Sequence, residues 1–138
     1  MNQALNITGS LTANADNIGG TVSNSNDLTL TGGTLNQKVS GSGTTTVTGS
    51  VTNNETVAQD VTITASGTLT NNNEIGNVRN SGILTSSAEN LTGTIENNQT
   101  LNLSGTLAKT VSGNGTTYVA NMPVSYTHLR AHETRSNL

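Results

Sequence analysis

The strongest constraint on this chain is an internal echo. Residues 28–47, LTLTGGTLNQKVSGSGTTTV, return as residues 101–119, LNLSGTLAKTVSGNGTTYV. Pairing Leu28 with Leu101, Leu35 with Leu107, Val39 with Val111 and Val47 with Val119 gives a shift of about 72 positions, with slack near the glycines. Aliphatic, glycine and threonine positions all keep their order. Such a chain is built from repeats, each of which buries its apolar side only against its neighbours.

The echo is made of a shorter unit: Gly, then Thr or Ser, then an aliphatic residue, then an Asn-rich turn and a second aliphatic residue. It reads Gly9-Ser10-Leu11 leading to Ile18, Gly20-Thr21-Val22 to Leu28, and Gly49-Ser50-Val51 to Val57. It returns as Gly67-Thr68-Leu69 leading to Ile75 and as Gly93-Thr94-Ile95 leading to Leu101. Thr and β-branched residues suit a pleated strand, and Asn and Gly accept the backbone bend that ends it. Alternation points Leu28, Leu30, Val61 and Ile63 inward and Thr29, Thr31, Thr62 and Thr64 outward. Asn53, Asn71 and Asn97 are placed to stack as amide ladders.

A longer period emerges from Leu5, Leu28, Val51, Ile75 and Leu101, which advance by about 24 residues; three such steps make the 72-residue echo. An 18-residue coil divides 72 equally well. With the longer coil preferred, the expected fold is an all-β, right-handed parallel β-helix of about five coils over residues 1–122.

Composition agrees with a thin core. Hydrophobic residues make up 30% of the chain, charged residues 9% and aromatics 1%, with no Phe, Trp or Cys. Disordered chains of low hydrophobicity are usually rich in charge, and this one is not. Too few large side chains are present to fill a thick layer between sheets, whereas single Leu, Ile and Val residues can stack coil upon coil. The net charge of −3 with 5 Lys plus Arg argues against a nucleic-acid groove. Without Cys there is neither a disulfide framework nor a thiolate metal site. No apolar run is long enough to span a membrane, and residues 1–11 lack the pattern of a signal peptide.

The units GTLTNNNEI, GTIENNQTL and GSVTNNETV resemble the repeats of secreted bacterial parallel β-helix proteins, notably autotransporter passenger domains and filamentous-haemagglutinin-like adhesins. The resemblance runs from about residue 4 to 119 and rests on repeat character. It implies an exported stalk or adhesin at the bacterial cell surface or outside the cell, without catalysis. Host-surface glycans or proteins, or sister molecules docking through solenoid ends, would be its partners. The absence of a secretion signal, a membrane-anchoring barrel and end caps makes the chain read as a fragment.

From Pro123 onward the rhythm stops. Residues 123–138, PVSYTHLRAHETRSNL, hold the only Pro, both His and no Gly. They resemble translated adapter or vector sequence and are set aside as a non-native or disordered tail. Their one chemical feature is His128 and His132, four apart, with Glu133 following; the zincin pattern needs Glu directly after the first His, where Leu129 stands. No metal site is assigned.

The repeats contain no His or Cys, so nucleophilic Ser-His and Cys-His arrangements are excluded there. Asp16, Asp27, Glu55, Asp60, Glu74, Glu89 and Glu96 remain, with Lys38, Arg79 and Lys109 as sparse cations. Glu55, Glu74 and Glu96 sit just after or within the Asn turns of successive units, and their alignment in a column is the arrangement a polysaccharide lyase or hydrolase fragment would require. A solubilising role for such turn carboxylates is the preferred reading. Thr29-Leu30-Thr31, Thr46-Val47-Thr48 and Thr62-Ile63-Thr64 resemble the flat ranks of threonines in some β-helical ice-binding proteins. The rank looks broken by Asn6-Ile7-Thr8 and Asn102-Leu103-Ser104, and nothing in the sequence requires the intact triplets to share a face. No catalytic, cofactor or metal residue is nominated, and no cofactor is expected.

Overall fold

The computed structural model describes residues 4–120. Apart from two single-turn 3-10 segments, Ala15–Asn17 and Ala88–Asn90, its regular structure is short parallel strands in three sheets. Seven strands form the first: Ser10–Ala13, Asp27–Leu30, Thr44–Val47, Asp60–Ile63, Val78–Asn80, Ile95–Asn97 and Val111–Ser112. Six form the second: Gly33–Leu35, Ser50–Asn53, Thr68–Asn71, Ile83–Ser87, Thr100–Ser104 and Thr116–Val119. The third holds Leu5–Ile7, Val22–Asn24 and Val39–Ser40, and single bridges continue it through Val57 and Ile75 to Leu91. Consecutive strands lie on different faces, and each pairs with the strand one coil later. The chain is a three-faced parallel β-solenoid.

The expected all-β solenoid is observed, but its coil is shorter and its coils more numerous. In the seven-stranded sheet Leu11 pairs with Leu28, Leu28 with Thr45, Thr45 with Val61, Val61 with Val78, and Val78 with Ile95. The step is about 17 residues, not 24. One strand per coil in a seven-stranded sheet gives seven coils rather than five, a stack about 29 Å tall at ~4.8 Å per layer.

The reason for the misreading lies in the faces. Leu5 belongs to the three-stranded sheet, Leu28 to the seven-stranded and Val51 to the six-stranded, while Ile75 is back in the column of the first. A step of about 24 residues is therefore one coil plus one face. The long echo behaves the same way. Leu28 lies in the seven-stranded sheet and Leu101 in the six-stranded one, Val39 in the three-stranded sheet and Val111 in the seven-stranded one. The repeating object is a strand with its corner, and any of the three faces accepts it.

Local chemistry explains why. At the corner below Gly41, the Asn24 side chain accepts from Asn26 N–H at 3.1 Å and donates to the Thr44 carbonyl at 3.0 Å, while Asn24 O accepts from Gly43 N–H at 2.9 Å. At a different corner of the solenoid Asn97 repeats the pattern. It accepts from Gln99 N–H at 3.3 Å and donates to the Thr116 carbonyl at 3.0 Å, and its carbonyl accepts from Gly115 N–H at 2.8 Å. Above these two asparagines, Gly41 has φ 113° and Gly113 φ 99°. A Cβ at either would run into the carbonyl of Asn24 or Asn97, so each position needs glycine for conformation and for space.

The inward assignments hold: Leu28, Leu30, Val61 and Ile63 are all at most 2% exposed. Columns such as Val51, Leu69, Leu84 and Leu101 fill the interior in single file. Each fully buried aliphatic side chain contributes ~1.5–3 kcal/mol of apolar burial. The expected ladder of Asn53, Asn71 and Asn97 divides in two. Asn53 donates to Asn71 at 2.9 Å in the six-stranded sheet, and Asn97 instead accepts from Asn80 at 2.9 Å in the seven-stranded sheet. Asn24, Thr45, Gln59, Asn80 and Ser86 are buried polar groups that were not foreseen; of these, the Gln59 amide oxygen accepts from Asn24 Nδ2 at 2.9 Å and from Thr45 Oγ1 at 2.7 Å. Its nitrogen donates to the Asn24 carbonyl at 3.0 Å, so the insertion is satisfied.

Candidate functional site

Strand alternation leaves two outward surfaces with distinct character. On the seven-stranded sheet, register places Thr12, Thr29, Thr46 and Thr62 in one column. Thr31, Thr48 and Thr64 form a second column, each donating its backbone N–H at 3.0 Å to the coil before: to the carbonyls of Ala13, Leu30 and Val47. The three Thr-x-Thr triplets thus lie side by side on one face in consecutive coils. The triplets that seemed to break the rank were never in it: Asn6-Ile7 lies in the three-stranded sheet and Asn102-Leu103-Ser104 in the six-stranded one. The placement had a sequence signal. Thr12, Thr29, Thr46 and Thr62 recur at about 17 residues, the coil length itself.

The hydroxyls of the second column share one geometry. Thr31, Thr48 and Thr64 Oγ1 each donate to the same carbonyl of the previous coil as their backbone N–H, at 3.4, 3.4 and 3.3 Å. The array has defined borders. Along its leading edge Ser10, Asp27, Thr44 and Asp60 share a column. At its upper end the first column continues into Arg79 and Glu96, whose Nε and Oε1 lie 3.3 Å apart at the surface. Hydrogen bonding from Asn98 and, after it, the Arg79 charge hold the Glu96 carboxyl below the usual glutamate range.

The second surface lies on the six-stranded sheet. A shallow groove of about 400 Å³ there is rimmed by Thr70, Asn72, Thr85, Ser87, Asn90 and Asn102, and Leu103 and Ala120 add apolar surface to it. Among the described residues, no charged side chain lines it. Asn72 also continues an exposed ladder, donating to Asn54 at 2.9 Å, while Asn54 donates to Asn36 at 3.0 Å.

The carboxylates do not gather as the column considered above. Bridging of Val57 to Ile75 puts Glu74 in register with Thr56, one position away from Glu55, and Glu96 lies on another face. Asp16 accepts from Thr34 N–H at 2.8 Å and Asp60 from Asn77 Nδ2 at 3.1 Å, both as corner fasteners. The carboxylates that do share a column, Asp27 and Asp60, were missed, and Thr44 separates them. Lys109 is engaged with the Gly93 carbonyl at 3.0 Å. Among the described residues no three His, Asp or Glu side chains come close enough to hold a metal. No helix among them is long and apolar enough to cross a membrane. His128, His132 and Glu133 lie outside the described residues, as does the whole expected tail, 123–138. The chain matches no protein-family model, no curated protein and no solved structure.

Proposed function

We propose that this chain is a structural and adhesive segment of an exported bacterial repeat protein, displayed at the cell surface. The observation that carries the reading is the uncharged groove on the six-stranded sheet, with amides and hydroxyls at its rim, set on a solenoid whose every coil is hydrogen-bonded to the next. Such a scaffold holds many weak donors and acceptors at fixed spacing, so that affinity for an extended partner comes from their number. Glycans and host-surface proteins present complementary arrays. The resemblance of GTLTNNNEI and its relatives to adhesin repeats supports the same conclusion.

The test is retention of the labelled chain on arrays of glycans and matrix proteins, with the eluate assayed for cleaved product. Retention without turnover, weakened when Asn72 and Asn102 are both replaced by Ala, is the expected result. Release of unsaturated oligosaccharides would assign a lyase instead, and absence of retention on every surface would sink the adhesive reading.

A further inference from the structure

The threonine array on the seven-stranded sheet differs from the groove in one respect: it is a lattice. Across coils its side chains repeat at ~4.8 Å, and along each strand positions i and i+2 lie ~6.6 Å apart. Two columns in register over coils two to four, with Thr12 extending the first to coil one, give a patch about 14 Å along the solenoid axis. Both repeats approach the spacing of oxygen rows on the faces of hexagonal ice. The geometry points to ice, or the ordered water layer that freezes onto it, as the ligand of this face.

Three further properties support that occupant. The oxygen position is uniform: Thr31, Thr48 and Thr64 Oγ1 each lie 3.3–3.4 Å from the carbonyl of the preceding coil, Thr64 Oγ1 being also 3.3 Å from Ser66 Oγ. With Oγ1 held there, every Cγ2 methyl of the column takes the same remaining orientation, so the hydroxyls and methyls alternate on one pattern. The support is stiff: behind the array Leu28, Leu30, Val47, Val61 and Ile63 are buried, and Ala13, Leu30 and Val47 hold the next coil by their carbonyls. A ligand that is itself a rigid lattice gains most from a surface that loses little freedom on binding.

The third property is chemical. The two columns carry no charge over the four coils; Asp27 and Asp60 lie along their edge, and the Arg79–Glu96 pair begins where they end. A polyanion would need cations here. A flat crystalline polysaccharide would favour aromatic rings to stack on, and Tyr118, the one aromatic among the described residues, is on the six-stranded sheet. What remains complementary to neutral hydroxyls and methyls in a two-dimensional repeat is water in its crystalline order. The inference is independent of the adhesive reading, which concerns a different face.

The experiment is nanolitre osmometry on the full chain, reading thermal hysteresis and crystal shape. Faceted crystals and a measurable hysteresis gap at micromolar protein are expected. Thr46→Lys puts a long cation in the middle of the lattice and should reduce the gap roughly tenfold, because the weak contacts act together. Ser23→Lys, exposed on the three-stranded face, should leave it unchanged. Thr31→Lys, at an exposed position, repeats the test should Thr46→Lys fail to fold, with far-UV circular dichroism reporting the fold of each. Rounded crystals from folded protein would overturn the inference. Equal losses from the two faces would do so as well, and so would sedimentation with crystalline cellulose in the absence of any effect on ice.

Discussion

Replacing Asn80 by Ala tests whether the buried amides hold the coils together. Asn80 is fully buried; its Nδ2 donates to Asn97 Oδ1 at 2.9 Å and to the Thr100 carbonyl at 2.7 Å, and its Oδ1 accepts from Gly82 N–H at 3.1 Å. Truncation removes all three bonds. At a net ~1 kcal/mol for each hydrogen bond the loss is about 3 kcal/mol, and stranding the buried Gly82 N–H can carry it towards ~5. With a urea dependence of about 2 kcal/mol/M, the unfolding midpoint should fall by ~1.5–2.5 M at unchanged slope. Equilibrium unfolding followed by far-UV circular dichroism measures it, and the control is Asn54→Ala on the exposed ladder. There water replaces the lost partners, so less than ~0.5 kcal/mol is expected. A double-mutant cycle of Asn80→Ala with Asn97→Ala should return a coupling of ~1 kcal/mol. Equal, small losses at Asn80 and Asn54 would refute the argument, because burial would then not be what makes the ladder strong.

Ile63→Asp places a carboxylate at a position with no exposure and should abolish the cooperative thermal transition; an unchanged melt would disprove the inward assignment. Gly41→Ala forces a left-handed backbone on an L-residue and a Cβ onto the Asn24 carbonyl, costing ~1–3 kcal/mol or more in a denaturant titration, whereas Gly9→Ala meets nothing and should be near neutral. For Glu96, carboxyl NMR should give a midpoint below the ordinary glutamate value. Asn98→Ala should raise it more than Arg79→Ala, and salt should erode the Arg79 share. Because the folded value is depressed, any stability linked to Glu96 is present above the unfolded pKa and fades as pH falls through the folded one, with little weight at so exposed a site.

Much of the fold was legible because its causes are local. Alternation at Leu28-Thr29-Leu30 and Val61-Thr62-Ile63 named the inward side chains, and the turn chemistry of Asn and Gly marked the corners. The amides were legible as stacking groups but not by partner, because Asn97 could be matched with Asn80 only once register was known. The candidate surfaces suffered the same limit. Glu55, Glu74 and Glu96 look equivalent as residues following Asn turns, yet Glu74 is displaced from Glu55 by one register position and Glu96 occupies another sheet. Conversely, the threonine triplets were visible in the sequence, and only pairing across coils placed them on one face.

What the amino-acid sequence determined by itself was the unit: a short strand, an asparagine-and-glycine corner, and one or two aliphatic side chains too small to fill anything but a thin stacked core. It could not determine how many units close a turn. The corner at Asn24 and Gly41 and the corner at Asn97 and Gly113 have the same hydrogen bonds and the same glycine requirement, although they join different pairs of faces. A local bend that serves any corner carries no count of corners. Closure after three units was decided by packing, when aliphatic columns from three sheets met around one axis and set a coil of about 17 residues. That decision, made only in three dimensions, brought the threonines of four coils onto a single face.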